Sequence, residues 1–140
     1  MNAAWLSESD LEEAVLEWFR ELGYEVNDAR EVAPELPGAE RSSYEAVVLE
    51  GRLREALVRL SPEAPDEAID EALKRVLRRD APSLPLNNEA FHRLLCDGVQ
   101  VEIAHKGQVR GVHLRRFDFD DPDENDFLVL NQLEVVDRAS

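Results

Sequence analysis

Cysteine is nearly absent: Cys96 stands alone among 140 residues. A single thiol excludes an internal disulfide and a zinc cluster built from several cysteines. It also fits a reducing, cytoplasmic location. Basic residues are scarce as well. Sixteen Lys plus Arg face 31 Asp plus Glu, for a formal net charge of −15. Duplex DNA is held by cations that neutralise its phosphates, so a lone domain this acidic is a poor grip for it. No apolar run approaches the ~18–20 residues of a membrane helix, and no membrane partner is expected. The opening MNAAWLSESD has no basic region followed by an apolar stretch, so no secretory signal is expected. There is no internal repeat or low-complexity tract. The GxxxxGK[ST], GxGxxG and GxSxG motifs are all missing.

What is present reads as one globular domain spanning 1–140. The chain is 44% hydrophobic and 34% charged, a balance that folds. Residues 7–22 carry Leu11, Ala14, Val15, Trp18, Phe19 and Leu22 at helical spacing, which predicts an apolar stripe facing the core. Ser9 with Glu12 fits a capping box, and Ser7 with Asp10 is the alternative start. Gly23 stops the helix, and Tyr24–Val26 suits a short strand. Pro34, Pro37 and Gly38 make 27–43 irregular. A second helix is expected over 44–60. A third runs from Pro65 to Pro82 with Ala68, Ile69, Ala72, Leu73, Val76 and Leu77 inward, and a short fourth follows Asn87 or Asn88.

The period then changes. Val99, Val101 and Ile103 alternate with polar residues, Lys106-Gly107 suits a hairpin turn, and 109–119 suits the partner strand with a bulge near Arg115–Arg116. A third strand over 126–136 carries apolar residues on both faces, as a covered strand does. Helices followed by an antiparallel meander predict an α+β fold, with N-terminal helices on a largely antiparallel sheet. A strand of this kind so near Ser140 also suggests a sheet that continues beyond it.

Candidate chemistry is sparse. The run Asp118, Asp120, Asp121, Asp123, Glu124 and Asp126 fails as a calcium-binding EF-hand loop: counted from Asp118, position 6 is Asp123 rather than Gly and position 12 is Val129 rather than Glu. It reads as a solvated loop with Asx turns. His92, His105 and His113 lack metal-ligand spacing. Lys74, Arg75, Arg78 and Arg79 match the helix dipole at a C-terminal end. Asn125, Asn131 and Gln132 are amides in or beside the apolar last strand, and such amides need partners; pinning a loop is the simplest role. Glu12 is accounted for locally by the capping box, although its carboxylate could also reach a metal across the sheet.

Three stretches resemble the N-terminal domain of the restriction (R) subunit of type I restriction–modification enzymes. They are SESDLEEAVLEWFRELGYEV (7–26); Glu40-Arg41 followed by VVLEGRLREALVRLSP (47–62) and PDEAIDEAL (65–73); and FDFDDPDENDFLVLNQLEVV (117–136). Their order and spacing agree over nearly the whole chain. The resemblance implies a partial restriction-endonuclease-like fold of the PD-(D/E)xK class. In that family such a stretch runs on into a PD motif, an ExK motif and a Q-x-x-x-Y motif. This sequence has no ExK and no Q-x-x-x-Y, and ends at Val136–Ser140 where the PD strand is expected to follow. The expectation is a scaffold truncated before its catalytic strands and inactive alone, binding no cofactor itself. The implied parent is an ATP-dependent, Mg²⁺-dependent endonuclease that cleaves foreign DNA. It contacts duplex DNA within a complex with modification and specificity subunits. Glu12 corresponds to the first-helix glutamate that some nucleases of this fold place near the metal.

A reading from another class rests on charge: an acidic protein-interaction module or DNA mimic. Such a mimic needs carboxylates along one continuous face. Residues 1–60 hold 14 acidic and 6 basic side chains, 61–100 hold 8 and 5, and 101–140 hold 9 and 5, so the excess is spread along the chain.

Overall fold

Ser7 begins the first helix. Its hydroxyl accepts the Asp10 backbone N–H at 3.2 Å, and the Asp10 carboxylate accepts the Ser7 backbone N–H at 3.0 Å, which completes a capping box. The helix α1 then spans Glu8–Glu21. The alternative start therefore prevails over Ser9 with Glu12, and the Glu12 carboxylate is released from capping.

The structure is a computed structural model that describes residues 5–136. They fall into two compact units: 5–47 together with 126–136, and Val48–Asn125. The four helices and short strands form an α+β fold.

In the first unit α1 is followed by Gly23, at φ +88°, and by β1, Glu25–Asp28. Strand β4, Leu128–Asn131, lies parallel to β1 in the register Glu25↔Leu128 to Asp28↔Asn131. This corrects the expected meander, which would have placed the last strand beside the hairpin. That expectation rested on adjacency in sequence. A strand apolar on both faces suits parallel pairing equally well, once a long crossover supplies the return. Tyr24 bridges the two halves, its ring 5.1 Å from both Phe19 and Phe127.

The inward face of α1 also differs from expectation. Leu16 is buried, with Val15 and Phe19 half-buried beside it. Leu11, Trp18 and Leu22 are 58%, 60% and 73% exposed. The helix is apolar over more than half its circumference, and the core covers only the part centred on Leu16.

Arg41, only 4% exposed, ties the irregular segment together. Its guanidinium donates to the carbonyls of Ala46 at 2.8 Å, Tyr44 at 2.7 Å and Glu134 at 2.8 Å. The planar fork satisfies three carbonyls that no strand or helix serves.

The second unit contains α2 (Glu50–Leu60), α3 (Asp66–Leu77), α4 (Leu84–Asp97), β2 (Val99–His105) and β3 (Gln108–Leu114). Leu57, Ala68, Ile69, Ala72, Val76, Val99, Val101, Ile103 and Leu114 make its core. The α3 stripe and the β2 alternation are thus packed as their periods predict. Helix α2 is shorter than expected and starts at Glu50. Helix α4 starts earlier than expected, at Leu84, because the Asn87 amide closes the preceding loop on the backbone of Ala81 instead of capping. β2 and β3 are antiparallel through Lys106 and Gly107, at φ +50° and +77°, a two-residue turn of the primed type. The bulge near Arg115 does not form. The Arg115 N–H leaves the ladder for Ser61 Oγ at 2.9 Å, and β3 ends at Leu114.

Candidate functional site

Glu12 is half-buried on α1, one turn before Leu16. Asn131 closes β4, and Gln132 follows it with φ +54°, a left-handed conformation uncommon for a residue with a Cβ. That turn of the backbone brings two consecutive side-chain amides to one place. Asn131 Nδ2 donates to Glu12 Oε1 at 3.1 Å. Gln132 Nε2 donates to Glu12 Oε1 at 2.9 Å and Oε2 at 3.2 Å. Three of the four sequence candidates, 119 and 120 residues apart, therefore meet around one carboxylate.

The far end of β1 supplies a charged pair to the same unit. Asp28 lies opposite Asn131 in the parallel register. Its carboxylate accepts from Arg30 Nε at 2.9 Å and 3.1 Å and from the Arg30 backbone N–H at 2.9 Å. These bonds lower the Asp28 carboxyl to about 2. The Asp28 carboxylate in turn raises the Arg30 guanidinium, with smaller contributions from Glu12 and Glu31. Arg30 thus places positive charge within electrostatic reach of Glu12. Sequence reasoning missed Asp28 and Arg30. The Asp-x-Arg spacing beside an Asx turn was the available signal.

Asn125 is not in this cluster. It belongs to the second unit, where its Oδ1 accepts the Asp118 N–H at 2.7 Å and its Nδ2 donates to the carbonyls of Asp118 at 2.7 Å and Pro122 at 3.2 Å. It closes the acidic loop on itself. Asp118 Oδ1 also accepts the N–H groups of Asp120 and Asp121, both at 2.9 Å, so this carboxylate serves the loop's own backbone. Those bonds, against the opposing effect of partial desolvation, hold the Asp118 carboxyl below its ordinary value.

Among the described residues, no group of three or more His, Cys, Asp or Glu side chains is arranged to hold a metal ion. Glu12 is a single carboxylate whose two oxygens already accept three hydrogen bonds. The described residues do not by themselves make a Mg²⁺ site, since metal-assisted phosphodiester hydrolysis needs several carboxylates around the ion. The basic cluster on α3 is engaged at its own surface: Lys74 pairs with Glu71 at 3.4 Å, Arg75 donates to the Gln100 carbonyl at 2.8 Å, and Arg78 pairs with Asp80 at 3.3 Å. No described helix is long and apolar enough to cross a membrane.

The family described as type I restriction enzyme R protein N terminus matches residues 6–140. The chain is 32% identical over 133 residues to the type I restriction enzyme HindI endonuclease subunit of Haemophilus influenzae, covering 95% of this chain and 13% of that one. It is 31% identical over 135 residues to a Methanocaldococcus jannaschii chain described as the endonuclease subunit of type I restriction enzyme MjaIXP, covering 96% and 13%. The matched segment is thus a small part of either relative's length. No solved structure matches. With nearly every described residue inside the match, the chain belongs to the family of type I restriction enzyme R protein N-termini.

Proposed function

We propose that the protein acts as the N-terminal part of the R subunit of a type I restriction enzyme, and that the parent cleaves foreign DNA endonucleolytically in a reaction requiring ATP and Mg²⁺. It works in the cytoplasm with modification and specificity subunits, which bring the DNA target. The described residues form the scaffold, and Glu12 is the carboxylate they set beside the parent's metal centre. The observation that carries this assignment is the release of Glu12 from the helix cap and its capture by Asn131 and Gln132. A carboxylate with no capping duty, oriented from a β-strand end by two amides, is held as a positioned ligand or electrostatic group is held.

The test uses the full-length parent subunit reconstituted with its partner subunits, plasmid, Mg²⁺ and ATP. Glu12→Gln is expected to lower cleavage by roughly 10-fold or more while ATP hydrolysis continues. Unchanged cleavage would remove Glu12 from the site. The 140-residue chain alone is expected not to cleave; metal-dependent nicking that survives repurification overturns that expectation.

A further inference from the structure

The outer side of α1 is apolar where solvent meets it. Leu11, Ala14, Trp18 and Leu22 follow one another at i, i+3, i+7 and i+11, and all four are exposed. Trp5 and Leu6, just ahead of the helix, are 93% and 80% exposed. Both tryptophans of the chain are therefore on the surface. Large aromatic and aliphatic side chains gathered on one exposed strip mark an interaction site, and tryptophan is foremost among residues that dominate binding energy.

The strip has an acidic border. Each apolar residue is preceded by an acid: Asp10, Glu13, Glu17 and Glu21, all exposed. One position back is a rotation of about 100°, so these four form a row along one edge of the strip. The other edge is the core face around Leu16. Arg20 is the one cation within α1, and it is already paired with Glu13 at 3.0 Å and Glu17 at 3.1 Å. The row keeps a negative excess. Nucleic acid and anionic membranes carry the same sign. A second copy of this chain would bring another −15 to the contact.

We propose that the outer strip of α1 is a docking surface for an amphipathic helix of a protein partner, apolar on one face with lysine or arginine along one edge of that face. The apolar face takes Trp18, Leu11 and Leu22, and the basic edge meets Glu17 and Glu21. The contact is independent of the nuclease reading, because the hydrogen bonds of the Glu12 carboxylate run to Asn131 and Gln132 and to none of these side chains.

Both tryptophans report on the surface directly. The probe is an amphipathic helical peptide of leucine and lysine, with a leucine–glutamate peptide of the same pattern and phosphatidylglycerol vesicles as comparisons. The free chain is expected to show red-shifted, solvent-exposed emission. The leucine–lysine peptide is expected to shift it to the blue in a saturable, salt-weakened way. In Leu11→Ser/Trp18→Ser, with Trp5 as the remaining reporter, the shift should disappear while circular dichroism keeps the helix content. Glu17→Gln and Glu21→Gln should each weaken binding by a factor of up to about 5. Buried-type emission in the free chain, an equal response to the glutamate peptide, binding that survives the Leu11/Trp18 change, or vesicle binding or self-association in place of peptide binding each overturns the proposal.

Discussion

The Gln132 amide donates to both oxygens of Glu12, at 2.9 Å and 3.2 Å, from a backbone position that disfavours side chains. The two effects have opposite signs and can be separated. Gln132→Ala keeps the left-handed strain and loses the amide, at a cost of about 0.5–1.5 kcal/mol. Gln132→Gly loses the same amide but relieves roughly 1–2 kcal/mol of backbone strain. Urea denaturation should rank the glycine variant above the alanine variant. The reverse order would mean that the left-handed backbone at this position carries no strain.

Arg41 should be the most sensitive charged residue of the first unit. Arg41→Ala removes the side-chain donor from the carbonyls of Ala46, Tyr44 and Glu134 at once, leaving Tyr44 only the Val136 N–H, and opens a cavity, for a loss of about 3 kcal/mol. Arg41→Lys keeps the charge but cannot span three acceptors in a plane, so it should recover only part of the loss. Equal melting temperatures for wild type and Arg41→Lys would contradict the geometry.

Gly98 should tolerate no side chain. It sits at φ +78° and ψ −172°, a region essentially reserved for glycine. An added Cβ would lie 2.6 Å from the Leu114 carbonyl oxygen and 2.7 Å from His113 Nε2, which bonds the Asp97 carbonyl at 2.7 Å. Gly98→Ala is expected to cost at least ~1–3 kcal/mol from backbone conformation alone. Gly107→Ala, with open space around its Cβ, should cost less.

Acid should act on the Asp28–Arg30 pair. The Asp28 carboxyl is lowered from an ordinary 3.8 to about 2, mainly by the Arg30 side chain and then by the Arg30 backbone N–H. The unfolded chain then binds this proton more tightly than the folded one. The pair's contribution is complete above the ordinary value and is lost as pH falls through about 2. Arg30→Ala removes the main cause of the shift, so the carboxyl resonance of Asp28 should titrate nearer its ordinary value. A titration unchanged in that variant refutes the assignment.

The sequence revealed most where one element's own pattern carries the information. The α3 stripe, the β2 alternation and the Lys106-Gly107 turn need only neighbours a few residues away, and they stand as read. It misled where two local solutions compete. Ser7–Asp10 and Ser9–Glu12 are equally good capping boxes on paper, and the choice frees or consumes Glu12. The inward face of α1 was ambiguous for a related reason: Leu11, Trp18, Val15 and Leu16 are all apolar, and only the position of the parallel sheet decides among them. Glu12, Asn131 and Gln132 could each be singled out, but nothing local says that residues 119 apart will touch. Arg41 bonds to backbone carbonyls, which no residue pattern advertises.

The pairing of β1 with β4 has a consequence for the order of events during synthesis. Glu25 has its strand partner at Leu128, so about a hundred residues are made before the first unit can close. Val48–Asn125 holds its own core and can fold first, with the ends of the open unit waiting on either side. Until Leu128–Asn131 leaves the ribosome, β1 has no strand partner and Tyr24 lacks the Phe127 ring. In that interval the apolar side chains of α1 have less to pack against, which makes the nascent chain most dependent on protection just before its last strand arrives.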